Sequence, residues 1–170
     1  YEGQNYYING GFPLYRSHDE AFYLLGQLDY SLDETDSIGK SDVINGDAGL
    51  FYSHQQPTGE SFHAGGYIGA GYNDSYIAGE DNNYWSAELA ASYITPVLAI
   101  DRFTELRIEG VAKVAGKHLP NSKLFGLGDE DFLRGYEAST YVGNSGIAAT
   151  IELAHAYYFD NRYISRVAPY

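Results

Sequence analysis

The chain of 170 residues contains no cysteine and no methionine, and it carries ten lysines and arginines against 23 aspartates and glutamates. Without cysteine it forms no disulfide and performs no thiol chemistry, although this absence is compatible with any compartment. A formal net charge of −13 excludes the basic patch with which proteins displace counterions from nucleic acids. No apolar run approaches the roughly 20 residues of a membrane-spanning helix, so the sequence excludes that kind of span.

Tyrosine and glycine are abundant instead, with 18 and 20 residues. Hydrophobic residues make up 44% of the chain, yet the mean hydropathy is −0.34, so the apolar residues are dispersed among polar ones. Such dispersal is typical of β-strands that present one apolar face and one polar face. Composition therefore predicts an all-β protein, but it does not distinguish a membrane barrel from a soluble β-sandwich.

Alternation of apolar and polar residues recurs along the chain and predicts antiparallel strands. It is clearest in two segments, where Leu106 and Ile108, and then Ile151 and Leu153, alternate with small or polar residues. In a barrel these four side chains face lipid and the polar set lines a wet lumen, whereas a soluble sheet buries them in a core. The predicted strands are Gln4–Leu14, Ala21–Leu32, Asp42–His54, Ser61–Asn73, Tyr84–Val97, Phe103–Val114, Gly146–Phe159 and a truncated strand from Ile164.

The lengths of the predicted connections favour the barrel. An up-and-down barrel in an outer membrane has short periplasmic turns and longer external loops, and short and long links are predicted to alternate strictly here. This order places the longest loop on the exterior side. The short links are Tyr15–Glu20, Gln55–Glu60, a turn near Asp101 and Asp160–Tyr163, and the long links are Asp33–Ser41, Asp74–Asn83 and Ala115–Ser145.

The longest connection, Ala115–Ser145, carries a hydrophobic cluster of its own and a single central arginine, Arg134. Connections of this length are usually functional when they are ordered, and the cluster indicates that the loop folds back into a wide lumen. Arg134 then needs a carboxylate, because an unpaired buried guanidinium is costly. The candidate partners within the chain, all predicted to be lumenal, are Glu88, Glu105, Glu109 and Glu152.

The middle of this loop reads Phe132, Leu133, Arg134, Gly135 and Tyr136, and its flanks contribute Phe125, Leu127, Gly128, Gly143 and Gly146. This arrangement resembles the (V/I)RG(Y/F) loop motif of the outer-membrane assembly and two-partner secretion superfamily. The flanks look most like those of the two-partner secretion transporters, the haemolysin secretion/activation type. Asp129 departs from the family pattern, as do Asn144 and Ser145, where an aspartate often follows the glycine.

The resemblance implies an antiparallel up-and-down transmembrane β-barrel of about sixteen strands, preceded by periplasmic POTRA domains. Residues 1–170 would form one partial barrel domain of about eight strands, with the POTRA domains and the remaining strands outside the chain. In this family the loop arginine contacts an acidic residue on a later strand, which we expect beyond Tyr170.

The resemblance also implies a function and its partners. The pore would secrete an unfolded, β-helical exoprotein of the haemolysin or adhesin kind across the bacterial outer membrane, with Arg134 anchoring the loop in the lumen. Its other contacts would be outer-membrane lipid and lipopolysaccharide, and the pore is expected to be monomeric.

Three alternatives remain open. The same superfamily includes insertases that assemble outer-membrane proteins, and a small passive porin-type barrel or a soluble β-protein would share the strand pattern. For all of these the sequence predicts no enzymatic activity, no cofactor, no metal site and no nucleic-acid partner. The five histidines lack the spacing of metal ligands, and no Gly-x-Ser-x-Gly nucleophile elbow occurs.

Overall fold

The computed structural model describes residues 2–35, 39–75, 82–100, 103–116, 119–120, 123–127, 141–158 and 166–167. Within these ranges the chain is almost entirely β-strand and contains no α-helix. The predicted all-β class is therefore confirmed. In the part of the chain that the structure describes, no helix combines the length and the hydropathy needed to cross a membrane.

The described residues form the strands β1 (Glu2–Arg16), β2 (Glu20–Thr35), β3 (Gly39–Gln55), β4 (Ser61–Ser75), β5 (Asn83–Pro96), β6 (Thr104–Ala115), β7 (Phe125–Leu127), β8 (Tyr141–Gly143), β9 (Gly146–His155), β10 (Tyr157–Tyr158) and β11 (Arg166–Val167). Seven of them make one antiparallel sheet in the order β1-β2-β3-β4-β5-β6-β9, while β7–β8 and β10–β11 form separate two-stranded ladders. Each strand of the large sheet pairs with its neighbours along the chain, which confirms the predicted up-and-down topology.

The connections are less regular than the sequence predicted. β2 and β3 pair as far as Thr35 and Gly39, so only residues 36–38 join them, and the predicted long link Asp33–Ser41 is wrong. Polar residues there look like a loop in the sequence, but their backbones continue the ladder. The strict alternation of short and long links therefore does not hold. The connection from β6 to β9 still lies at the same end of the sheet as the β2–β3 and β4–β5 links.

The last predicted strands also differ in extent. The strand predicted over Gly146–Phe159 ends as β9 at His155. The next pair of residues, β10, joins β11 instead of continuing along β6. β11 is the described part of the strand that the sequence predicted from Ile164.

One face of the large sheet, the apolar face, carries large hydrophobic side chains that are mostly exposed. Ile151 is 73% exposed and Leu153 is 62% exposed, and they stand opposite Ile108 and Leu106 in the β6–β9 ladder. A closed core would bury these side chains, whereas this face requires an apolar environment or a partner. Further members are Ile8, Phe12, Leu24, Leu28, Ile44, Leu50, Ile68, Trp85, Leu89, Val114 and Ile147.

The opposite face, the polar face, carries most of the charged side chains of the strands. Its described core is small: Val43, Tyr84 and Leu119 are buried together, and Leu119 belongs to the connection between β6 and β9 rather than to the sheet. The described base of the long loop therefore covers part of this face. The polar side chains at these positions include Gln27, Asp29, Asn45, Asp47, Tyr67, Ser86, Glu88, Ser92, Arg107, Glu109, Lys113 and Glu152.

Candidate functional site

The candidate site is the base of the long loop, meaning the described residues between 115 and 145, together with the polar face beneath it. β7 pairs with β8 in this base, so the two limbs of the loop are joined to each other. The residues that connect β7 to β8 include Gly128 and the motif Phe132–Tyr136, and they lie outside the described residues. The anchoring role of Arg134 therefore stays a prediction.

Lys123 joins the loop base to the far side of the sheet. Its Nζ donates a hydrogen bond of 2.7 Å to Oδ1 of Asp29 on β2 and lies 3.9 Å from Oδ2 of Asp47 on β3. The loop leaves the sheet at β6, and the order β2-β3-β4-β5-β6 separates that strand from β2. With strands about 4.8 Å apart, the separation along the sheet is roughly 19 Å. The loop thus runs back across the polar face instead of extending away from it.

Side-chain amides position the two aspartates. Asn45, only 2% exposed, donates from Nδ2 to Asp47 Oδ2 at 2.6 Å and to Asp29 Oδ1 at 3.4 Å. Gln27 donates from Nε2 to Asp29 Oδ1 at 3.2 Å. The four side chains share a face because Asp29 pairs with Asn45 and Gln27 with Asp47 in the β2–β3 ladder. Carboxylates that share one amide repel each other, so the positive charge of Lys123 stabilises both.

The glutamates that the sequence offered as partners of Arg134 also lie on the polar face; they are Glu88, Glu105, Glu109 and Glu152. Lys113 on β6 places its Nζ 3.4 Å from Glu88 on β5. Arg107 donates from Nη2 to Glu105 at 3.2 Å and stands opposite Glu152 in the β6–β9 ladder. Three of the four glutamates thus have a basic residue of the sheet beside or opposite them.

The end of the loop binds its beginning through two side chains. The backbone N–H of Ala115 donates to Ser145 Oγ at 3.1 Å, and that of Leu119 donates to Asn144 Oδ1 at 3.0 Å. Both amides stand at or beyond the end of β6, where the ladder no longer satisfies every N–H group. Asn144 and Ser145, two of the positions at which the sequence departs from the pattern it resembles, therefore hold the loop base together in this chain.

Two of the flanking motif residues pack directly against each other. Phe125 is buried, and its ring occupies the space that a Cβ at position 146 would fill. Gly146 begins β9, so this contact joins the loop base to the large sheet. Gly143 and Leu127 stand in the β7–β8 ladder, paired with Phe125 and Tyr141 respectively.

The variant Gly146→Ala should loosen the loop base, because its methyl group would displace the ring of Phe125. Overpacking of this kind costs about 1–3 kcal/mol, so we expect proteinase K to cleave the loop several times faster. Gly110→Ala is the matched control, since its Cβ would meet only Ala148 O at 3.7 Å. Equal cleavage rates in the two variants would contradict the packing role of Phe125.

Sequence reasoning missed the residues that tie the loop to the sheet. Asp29 and Asp47 stand at polar positions of alternating strands, and that placement could have identified them. Lys123 offered no comparable signal, because it lies in a segment without periodicity. Only the packing of the loop on the sheet brings the three side chains together.

No protein-family model and no curated protein matches the chain. Among solved structures, its fold is similar to that of CdiB from Escherichia coli, with a TM-score of 0.76 and 17% sequence identity. The match covers 95% of this chain and 32% of that chain, so the chain spans about a third of the length of CdiB. At this identity the similarity establishes the fold, an up-and-down sheet that matches part of a β-barrel.

Proposed function

We propose that the chain is part of an outer-membrane pore that secretes a partner exoprotein. The observation that carries the proposal is the pairing of an exposed apolar face with a polar face across which the described base of the long loop is folded. The fold similarity to CdiB, a two-partner secretion transporter, supports it. The motif at Phe132–Tyr136 supports it independently, since it is a property of the sequence and not of the fold.

The apolar face suits contact with outer-membrane lipid, including lipopolysaccharide. Its side chains are aliphatic in the middle of the strands and aromatic towards the ends, as in barrels that cross an outer membrane. At the short-link end, Tyr52 donates to Glu20 at 3.0 Å and Tyr93 donates to Glu60 at 2.7 Å. Tyrosines with an apolar ring and a hydrogen-bonded hydroxyl are typical of the membrane–water interface.

The polar face suits the wall of a water-filled lumen. Its carboxylates, amides and lysines can form hydrogen bonds with an extended exoprotein that passes over them. The backbone groups of that exoprotein would therefore not need to enter lipid. In this proposal the work is conduction and gating, with no bond made or broken. The loop occupies the path, and Arg134 anchors its tip.

Deleting the gene from the bacterium that carries it should remove one exoprotein from the culture medium, and the full-length gene should restore it. The full-length protein should also fractionate with the outer membrane and conduct ions in planar lipid bilayers. An insertase would instead deplete many outer-membrane proteins from the envelope. An unchanged medium together with an unchanged envelope would contradict the proposed function.

A further inference from the structure

We propose that Lys123, Asp29 and Asp47 form a latch that holds the base of the long loop on the polar face, and that release of this latch opens the pore. The inference rests on the proposed function, because it concerns the regulation of the same lumen. It assigns a positioning role to Lys123, which lies in the loop between β6 and β7, and to two aspartates on β2 and β3. These residues lie outside the Arg134 motif.

Lys123 reaches further across the sheet than the other described contacts of the loop base, among which Leu119 packs on Val43 of β3 and Tyr84 of β5. The hydrogen bonds at Asn144 and Ser145 and the β7–β8 ladder connect one limb of the loop with the other. They would survive if the loop moved as a unit. Lys123 instead bonds to a residue 94 positions away, on a strand at the opposite side of the sheet. Breaking this pair therefore frees the loop base from β2 and leaves the packing of Leu119 on β3 and β5 to hold it alone.

The ion pair between Lys123 and Asp29 is partly buried, so it is stable at rest but can still dissociate. The side chains of Lys123 and Asp29 are 22% and 16% exposed, so water and salt screen them only partly. Asn45 and Gln27 keep both carboxylates aimed at the ammonium group. If Lys123 moves away, the neighbouring carboxylates of Asp29 and Asp47 lose their counter-charge, which is unfavourable. The resting position of the loop base is therefore favoured until another positive group replaces Lys123.

A second lysine on the same wall provides a matched control. Lys113 lies 3.4 Å from Glu88, and both lysines border one polar cavity of about 210 Å³ that Gln27 and Tyr67 also line. The Lys113–Glu88 pair joins the adjacent strands β6 and β5 and includes no residue of the described loop base. Neutralising Lys113 therefore removes the same charge from the same cavity without releasing the loop.

The latch can be tested by single-channel recording of the full-length protein in planar bilayers. Lys123→Gln and Asp29→Asn should each raise the open probability roughly tenfold, which corresponds to about 1.4 kcal/mol. Lys113→Gln should leave it near the wild-type value. The charge-reversed pair, Lys123→Asp with Asp29→Lys, should restore the closed state. An unchanged open probability in Lys123→Gln, or an equal rise in Lys113→Gln, would overturn the latch.

A distance measurement tests whether Lys123 holds the loop base on the sheet, and it does not require the pore to conduct. The chain has no cysteine, so Asn9→Cys on β1 and Gly126→Cys in β7 accept spin labels selectively within it. Pulsed EPR should give a narrow distance distribution with Lys123 present and a longer, broader one in Lys123→Gln. Identical distributions would refute the latch even if the pore conducts. A wild-type protein that conducts no ions would contradict the proposed function, while the distances would still show whether Lys123 holds the loop.

Discussion

Replacing Arg134 with alanine in the full-length protein should abolish secretion of the partner exoprotein while leaving the barrel in the membrane. The guanidinium presents its donors in a planar fork that binds a carboxylate at two points. Removing one member of a buried charge pair costs about 2–5 kcal/mol, which corresponds to a loss of the anchored loop of about thirtyfold or more. The amount of exoprotein in the medium, divided by the amount of transporter in the membrane fraction, measures this loss.

Arg134→Lys is the informative companion variant, because it keeps the charge and loses the planar fork. We expect it to secrete poorly, since a point charge does not reproduce two-point binding. Secretion at the wild-type level in Arg134→Ala would remove Arg134 from the mechanism. If both variants lose the transporter from the membrane, the arginine serves folding instead of the loop position.

The partner of Arg134 can be sought by neutralising each predicted carboxylate in turn, as Glu88→Gln, Glu105→Gln, Glu109→Gln and Glu152→Gln. A variant that reproduces the secretion defect of Arg134→Ala would identify the partner within this chain. The structure already places Lys113 beside Glu88 and Arg107 beside Glu105. Arg107 also stands opposite Glu152, so Glu88, Glu105 and Glu152 are the weaker candidates, because each has a cation beside or opposite it. A defect in none of the four would favour the expectation of a partner beyond Tyr170.

The sequence was sufficient to predict the sheet, because alternation is a local property. Along β9, every second side chain from Ile147 to Leu153 is apolar and exposed, as the pattern requires. The same pattern could not define the strand ends. Between Asp33 and Ser41 the side chains are mainly polar, yet the ladder continues to the pair Thr35 and Gly39. Backbone hydrogen bonds do not depend on side-chain hydropathy, so polarity alone suggested a loop where a strand continues.

The loop base could not be predicted, because its contacts depend on where the loop lies over the sheet. Lys123 and Asp29 are 94 positions apart, and nothing local links a lysine in an aperiodic segment to a strand aspartate. Asn144 and Ser145 are similar cases. They looked like departures from a family pattern, whereas the structure shows them accepting hydrogen bonds from Leu119 and Ala115. Their role can be recognised only once it is known which backbone N–H groups at and beyond the end of β6 lack a partner in the ladder.

The two faces of the sheet explain why the loop lies where it does. The β6–β9 register places the pair Ile108 and Ile151 on the apolar face. The adjacent pair, Arg107 and Glu152, therefore lies on the polar face. In the described base of the loop, Lys123 finds its charge partners, Asp29 and Asp47, on the polar face. The apolar residue Leu119 of the loop base finds Val43 and Tyr84 there as well. One alternation pattern therefore determines both the membrane-facing surface and the docking position of the loop.

Introducing a charge on the apolar face at Ile151 should destabilise the barrel strongly. Ile151 is 73% exposed and stands near the middle of β9, where a lipid-facing arginine costs about 2–4 kcal/mol. Ile151→Arg should therefore lower the urea concentration at which the full-length protein unfolds from lipid vesicles, and it should reduce the inserted fraction in the outer membrane. In water the same exposed position would accept arginine at little cost, so the outcome separates a membrane barrel from a soluble sheet.

The neighbouring variant Thr150→Arg is the control for this substitution. Thr150 stands opposite Glu109 in the same ladder and faces the polar side, where an arginine meets a carboxylate and water. We expect this variant to unfold close to the wild-type urea concentration. If both variants unfold equally early, the added bulk and charge harm the strand regardless of face, and the lipid-facing role of Ile151 would be wrong. A loss of stability confined to Ile151→Arg would show that the apolar face lies in an apolar environment, as the hydrocarbon of the bilayer provides, because a shift of one residue along the strand moves the charge to the other face.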